Sequence, residues 1–299
     1  MPIVTIQDFT GVYAEQPFMQ KLRESAMVPG TESAAISTIW LDCTKIDGTD
    51  CYCDDEAQAV LHKMMEEAAE KAADAKVPGI HFFDNGNYHY MSKLWTDRVQ
   101  EPFDLVVFDH HPDMQPPRFE GILSCGGWVL EVLKNNPFVQ SVTLIGVADH
   151  LVDEIREELS ASDNAAILDK VKFIRESELN SELTLFTSLS TLHIPHSTSL
   201  YISIDKDAIS TNEASTNWDQ GSLTYDQLAS TLTALAQNHK IQGIDICGER
   251  ARDVDFADNS AADALNNALN TKLYNHITYL VEKEIPAFAG KTTTENGFQ

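Results

Sequence analysis

The stretch FDLVVFDHHPDMQPP, Phe103 to Pro117, runs from apolar residues straight into Asp109, His110, His111 and Asp113. The apolar part reads as a buried strand, and open α/β sheets bind ligands at the carboxyl ends of their strands. Along an extended stretch, side chains two apart point the same way, so Asp109, His111 and Asp113 are expected to converge on one point. Carboxylates and an imidazole gathered like this can hold a metal ion. Two other segments repeat the pattern. VPGIHFFDNGNYHY passes from a short strand, Gly79 to Phe83, into a turn-rich stretch that carries His89. SLYISIDKDAIS is a further apolar strand ending in Asp205 and Asp207, again spaced by two. The full set is His89 and His111 with Asp109, Asp113, Asp205 and Asp207. Such an oxygen-rich mixture suits Mn²⁺ or a similar divalent ion better than thiolate-loving zinc. It also holds more carboxylates than one ion needs, so two metals are the economical expectation.

Strand and helix signals alternate along most of the chain and would place these residues at the ends of three strands. Ser37 to Asp42 reads as a strand, and Asp55 to Ala75 as a helix rich in Ala, Glu, Lys and Met, with acidic residues at its start as the helix dipole favours. Strands follow at Gly79 and Leu105, then a helix Gly127 to Lys134 and strands Ser141 to Val147, Val171 to Ile174 and Ser199 to Ile204. A helix Thr224 to Gln237, a strand Ile241 to Cys247 and a long helix Ala261 to Glu284 close the pattern. Alternation of this kind predicts an α/β fold, three layers α/β/α around a mainly parallel sheet. Residues 1–289 are expected to form one domain and residues 290–299 a mobile tail.

The three motifs, in this order, resemble those of the ureohydrolases, the family of arginase, agmatinase and formiminoglutamase. Where that family carries GGDHS, DAHxD and SxDxD, this chain has GNYHY at Gly86 to Tyr90, DHHPD at Asp109 to Asp113 and SIDKD at Ser203 to Asp207. GSLTYDQL, Gly221 to Leu228, is similar to the GGLTY-like helix start that often follows. The resemblance spans roughly Ile36 to Val281 and lies in the ordered set rather than in any single motif. It implies an arginase-like fold and a binuclear manganese centre. One ion would be held by His89, Asp109, Asp113 and Asp205, the other by Asp109, His111, Asp205 and Asp207, with Asp109 and Asp205 bridging. It further implies that a metal-bridging hydroxide attacks the carbon of a guanidino or amidine substrate and expels an amine, with Asp113 passing a proton to the leaving nitrogen. Glu249, in GIDICGERARD, lies near the place of a carboxylate that holds the cationic substrate; its alternative is a salt bridge with Arg250 or Arg252. A homo-oligomer is a further expectation from the resemblance.

The chain departs from the family pattern at several places. Asn87 and Tyr88 precede His89 where the family has Gly and Asp, and His110 replaces a small residue between two ligands. Ser210 and Thr211 stand where the family has Asp and Pro. SCGGWVLEV, Ser124 to Val132, lacks the histidine to which most arginases and agmatinases entrust proton transfer. His110 and His150 are the candidates to replace it, with a structural role as the alternative for each. The GGWV stretch is similar to a divergent branch that includes peptide arginases, so peptidyl arginine joins the small guanidino and amidine compounds as an expected substrate. His81 reads as a core histidine, and His193 and His196 as loop residues.

A formal net charge of −25 argues against nucleic acid as a partner and disfavours anionic membranes, and it would attract a cationic substrate. No signal peptide is evident and no apolar run approaches membrane-spanning length, so a cytoplasmic protein is expected. The five cysteines, Cys43, Cys51, Cys53, Cys125 and Cys247, lack CxxC spacing and read as reduced thiols. For Cys51 and Cys53, in the acidic turn DGTDCYCDDE, a surface metal or redox role is the alternative. Two rivals to the hydrolase reading remain: a DHH-type phosphoesterase, whose DxD-type motif precedes DHH whereas Asp205 and Asp207 follow it here, and an arginase-like scaffold that binds metal without turnover.

Overall fold

The structure, a computed structural model, describes residues 3–26, 37–71, 79–117, 121–179, 199–252 and 259–288. In chain order the elements are β1 (Ile3–Asp8), α1 (Pro17–Ala26), β2 (Ser37–Asp42), β3 (Tyr52–Cys53), α2 (Asp55–Lys71), β4 (Gly79–Phe82) and α3 (Met91–Thr96). Next come β5 (Phe103–Phe108), β6 (Leu123–Ser124), α4 (Trp128–Asn135), β7 (Val139–Val147), α5 (Asp149–Ser160), β8 (Val171–Arg175) and α6 (Glu176–Leu179). β9 (Ser199–Asp205), α7 (Tyr225–Asn238), β10 (Lys240–Cys247) and α8 (Asn259–Phe288) complete them. Among the described residues eight strands form one sheet in the order β2-β1-β4-β10-β9-β5-β7-β8, every pair parallel. The remaining two, β3 and β6, pair antiparallel.

Helices cover both faces, as the alternation predicts. Leu105, Val107 and Tyr201 pack in one cluster with Leu61 and Met65 of α2, Leu94 of α3, Trp128 of α4 and Ile155 of α5. Their neighbours along the same strands, Val106, Phe108, Ile202 and Ile204, pack in a second cluster with Met19 of α1, Leu232 of α7 and Leu273 of α8. Both faces of β5 and β9 are buried along their whole length; β5 is apolar but for Asp104, whereas Ser199, Ser203 and Asp205 of β9 share one face. α7 starts at a reciprocal cap, Thr224 accepting from the Gln227 backbone while the Gln227 side chain accepts from that of Thr224. No helix among the described residues is long and apolar enough to cross a membrane.

Several elements differ from expectation. β1, α1 and α5 carry no signal that the sequence reading uses. β1 is only six residues long, with polar Thr5, Gln7 and Asp8 among its apolar ones, and α5 begins directly after β7, with only Ala148 between them. The expected strand geometry of Asp109, His111 and Asp113 is also corrected. β5 ends at Phe108, and the chain bends until Asp113 adopts φ 48°, a left-handed conformation rare outside glycine. Their convergence comes from this bend and not from strand alternation. His193, His196, the residues after Lys71 in the predicted helix Asp55 to Ala75, and the tail 290–299 lie outside the described residues.

Candidate metal centre

The neighbouring strands β4, β10, β9 and β5 deliver their carboxyl ends to one place. β4 leads into a turn, Gly86–Tyr88, and so to His89; β5 leads into the Asp109–Asp113 bend. β9 ends at Asp205, whose Oδ1 accepts the Asp207 backbone N–H at 3.0 Å and so caps the turn Lys206–Ala208. Two glycines allow the close packing. At Gly86 a Cβ would stand 2.9 Å from Asp205 Oδ2, and at Gly248, with φ 90°, it would collide with Asp205 Oδ1.

All six expected side chains meet here, in two groups. His89 Nδ1 lies 2.9 Å from Asp113 Oδ2, 3.1 Å from Asp109 Oδ2 and 3.5 Å from Asp205 Oδ2. His111 Nδ1 lies 2.9 Å from Asp207 Oδ2 and 3.6 Å from Asp109 Oδ1. Asp109 therefore turns one oxygen to each imidazole. Asp205 sides with His89, since its other oxygen serves the Asp207 cap. The sequence reading missed Cys247: at the end of β10, its thiol donates to Asp205 Oδ2 at 3.3 Å and can join His89 and Asp205 around an ion. Its one sequence signal is its place at the end of a predicted strand.

The electrostatics of this cluster call for a cation. Burial, then Asp207, pushes Asp205 up to about 7, and burial with Asp109 raises Asp207. Burial alone would favour neutral imidazoles. The carboxylates nevertheless prevail, holding His89 well above its ordinary range and His111 up to about 12. Asp109 Oδ2 is buried with no hydrogen bond of its own, although His89 Nδ1 lies 3.1 Å away. Divalent ions satisfy the same demand by taking the places of those protons, and the oxygen and imidazole donors fit a hard cation.

Supporting contacts hold the candidate ligands in place. Ser203 Oγ, 2.9 Å from His89 Nε2, orients the ring so that Nδ1 faces the carboxylates, which explains a serine at the head of SIDKD. Trp128 Nε1–H donates to Asp113 Oδ2 at 2.8 Å, and its indole lies 4.9 Å from the His89 ring. Trp128→Phe keeps the bulk and removes the donor. It should weaken Mn²⁺ binding about 10- to 100-fold, the usual cost of losing a partner of a metal ligand. Calorimetric titration with Mn²⁺ would measure this, and unchanged affinity would show that Asp113 does not depend on the indole.

Asp109, His111, Asp113, Asp205 and Asp207 line a cleft of about 280 Å³ whose wall also includes Glu154 and Glu158 of α5, Trp218 and the β3–β6 pair. Glu154 and Glu158 escape a reading that does not see α5 as a helix. Three expected residues are placed elsewhere. The His110 ring is buried against Gly221, outside the lining, while its backbone N–H donates to Asp207 Oδ1 at 3.0 Å. His150 is exposed on the first turn of α5 and also stays outside the lining. Glu249 is corrected most clearly. It is fully buried and ion-paired with Lys206, Asn270 Nδ2–H donates to its Oε1 at 2.6 Å, and Gln16 Nε2–H donates to its Oε2 at 2.7 Å. Neither Arg250 nor Arg252 is its partner, since Arg250 pairs with Asp263 and Arg252 with Glu15. With both oxygens engaged, it has none to offer a substrate.

The arginase family profile matches residues 20–269. A protein of Thermotoga maritima, itself uncharacterized, is 26% identical over 248 residues, covering 83% of this chain and 80% of its own. Among solved structures, a hypothetical agmatinase from Burkholderia thailandensis superposes with a TM-score of 0.61 at 14% identity, over 96% of this chain and 87% of its own. Proclavaminate amidino hydrolase from Streptomyces clavuligerus gives 0.59 at 17% identity, over 94% and 92%.

Proposed function

The chain belongs to the arginase family, and from that premise we propose that it is a cytoplasmic, metal-dependent hydrolase that cleaves a carbon–nitrogen bond of a cationic guanidino or amidine compound. The observation that carries this is the position of Asp109, with one oxygen 3.1 Å from the His89 nitrogen and the other 3.6 Å from that of His111. A carboxylate so placed can serve two cations at once. His89, Asp113 and Asp205 would hold the first, His111 and Asp207 the second, with Asp109 between them. When bound, two divalent cations such as Mn²⁺ supply Lewis acidity and make water a competent nucleophile at neutral pH.

The remaining steps fall to the chain's own groups. Two cleft carboxylates, Glu154 and Glu158, lie outside the ligand set, and among the described residues no Lys or Arg lines the cleft. They would hold the positive charge of a guanidinium or amidinium beside the centre, in a space suited to a small compound or to the side chain of a peptidyl arginine. Asp113, with Oδ2 fixed by Trp128 and facing His89, would use its other oxygen to take a proton from the attacking water and deliver it to the leaving nitrogen. The family match and the lack of cationic lining leave the phosphoesterase alternative without support.

The scaffold alternative rests on one observation: apart from the proposed ligand His111, no histidine lines the cleft among the described residues. Turnover by Mn²⁺-loaded protein decides between the two, with release of urea, ammonia or formamide read across a panel of guanidino and amidine compounds. For the best substrate, Glu154→Gln combined with Glu158→Gln should raise KM roughly 10- to 100-fold while kcat changes less, the mark of a lost binding charge. A protein that keeps its metals yet hydrolyses nothing on the panel is the scaffold.

A further inference from the structure

The short β3–β6 ribbon sets two cysteines side by side on the wall of the cleft. Tyr52 pairs with Ser124 and Cys53 with Leu123, so the antiparallel register places Cys51 directly opposite Cys125. The Cys125 backbone N–H donates to the Cys51 carbonyl at 2.9 Å, continuing the ladder by one more pair. Opposite residues of an antiparallel pair have Cα atoms about 4.5–5.5 Å apart, inside the window of roughly 4.4–6.8 Å that disulfides occupy. The Cys125 side chain also interacts with that of Cys51. Both residues are half-buried and line the cleft, whereas Cys43, Cys53 and Cys247 are buried. A small oxidant entering the cleft therefore meets these two sulfurs first.

We propose that Cys51 and Cys125 form a reversible disulfide, with a peroxide as the oxidant, that ties together the wall of the cleft beside the candidate metal centre. Contact with Cys51 and burial push the Cys125 thiol up, and in this proposal Cys51 makes the first attack. Its sulfur takes one peroxide oxygen, the O–O bond breaks and water leaves, giving a sulfenic acid at Cys51. The Cys125 sulfur then attacks Cys51, the S–S bond forms and a second water departs. The two thiols give two electrons, and their protons leave in the waters. The bond bears on the centre through Cys125. The turn Cys125–Gly127 receives the Gln115 backbone N–H at Gly126 O, and Trp128, which holds Asp113, follows it directly. Oxidation thus fastens the turn that supports Asp113 to the loop before β3.

The full-length chain, reduced and then exposed to hydrogen peroxide, alkylated under denaturing conditions and digested without reductant, should yield one Cys51–Cys125 cross-linked peptide. Its formation should lower the chain mass by two hydrogens, and dithiothreitol should reverse it. The melting temperature should rise on oxidation by on the order of 5–10 °C, as closure of a long loop implies. Cys125→Ser should abolish both changes and leave a sulfenic acid at Cys51 that dimedone traps. The proposal is overturned if both thiols stay alkylatable, or if the oxidised peptide joins Cys51 to Cys53. Because the readout is mass, the result stands apart from whether the protein hydrolyses anything.

Discussion

Asp109→Ala should strip both cations from the protein and reduce turnover to background. Asp109 stands between the two imidazoles, and among the described residues it alone faces both. Its removal takes a ligand from each position and lowers the negative charge that holds the pair. Asp207→Ala, by contrast, touches the His111 side only, and Asp205→Ala chiefly the His89 side, so each should spare most of the other ion. Metal content after Mn²⁺ loading and desalting should approach zero for Asp109→Ala and one equivalent for Asp207→Ala. Two equivalents retained by Asp109→Ala would remove it from the ligand set.

Lys206→Met should destabilise the fold by about 3–5 kcal/mol, the cost of leaving one member of a buried ion pair without its partner. Lys206 lies between Asp205 and Asp207, is fully buried, and pairs with the equally buried Glu249. Asn270 of α8 and Gln16 complete the network, so one buried charge organises the β9 turn, the segment after β10, α8 and the chain ahead of α1. Its loss should lower the melting temperature by on the order of 10 °C, measured with chelator present so that metal binding does not mask it. The Lys206→Met, Glu249→Gln double variant should recover much of the loss, because it no longer strands a carboxylate. If it melts no higher than the single variant, the pair is not coupled.

What could be read from the sequence was whatever a strand end announces locally. Asp109 and Asp205 stand at the end of an apolar run and His89 in the turn after one, and the fold brings such ends together along neighbouring parallel strands. Roles that depend on partners distant in sequence stayed hidden. Glu249 follows a strand as the ligands do, but nothing local shows that Lys206 and Gln16 occupy it. Cys247 and Trp128 reach the cluster only through the sheet order and the β6–α4 turn. His110 is next to His111 in sequence, but its ring lies against Gly221 outside the cleft lining. Glu154 and Glu158 gain meaning only once Asp149–Ser160 is recognised as a helix with one side on the cleft.

Anomalous diffraction from crystals of the Mn²⁺-loaded protein tests the central claim most directly. Two peaks are predicted per chain, about 3.5–4 Å apart as in two-metal hydrolases. One should lie beside His89 Nδ1 and the other beside His111 Nδ1, with the Asp109 carboxylate between them. A single peak, or a pair that leaves Asp109 without contact, would contradict the binuclear centre.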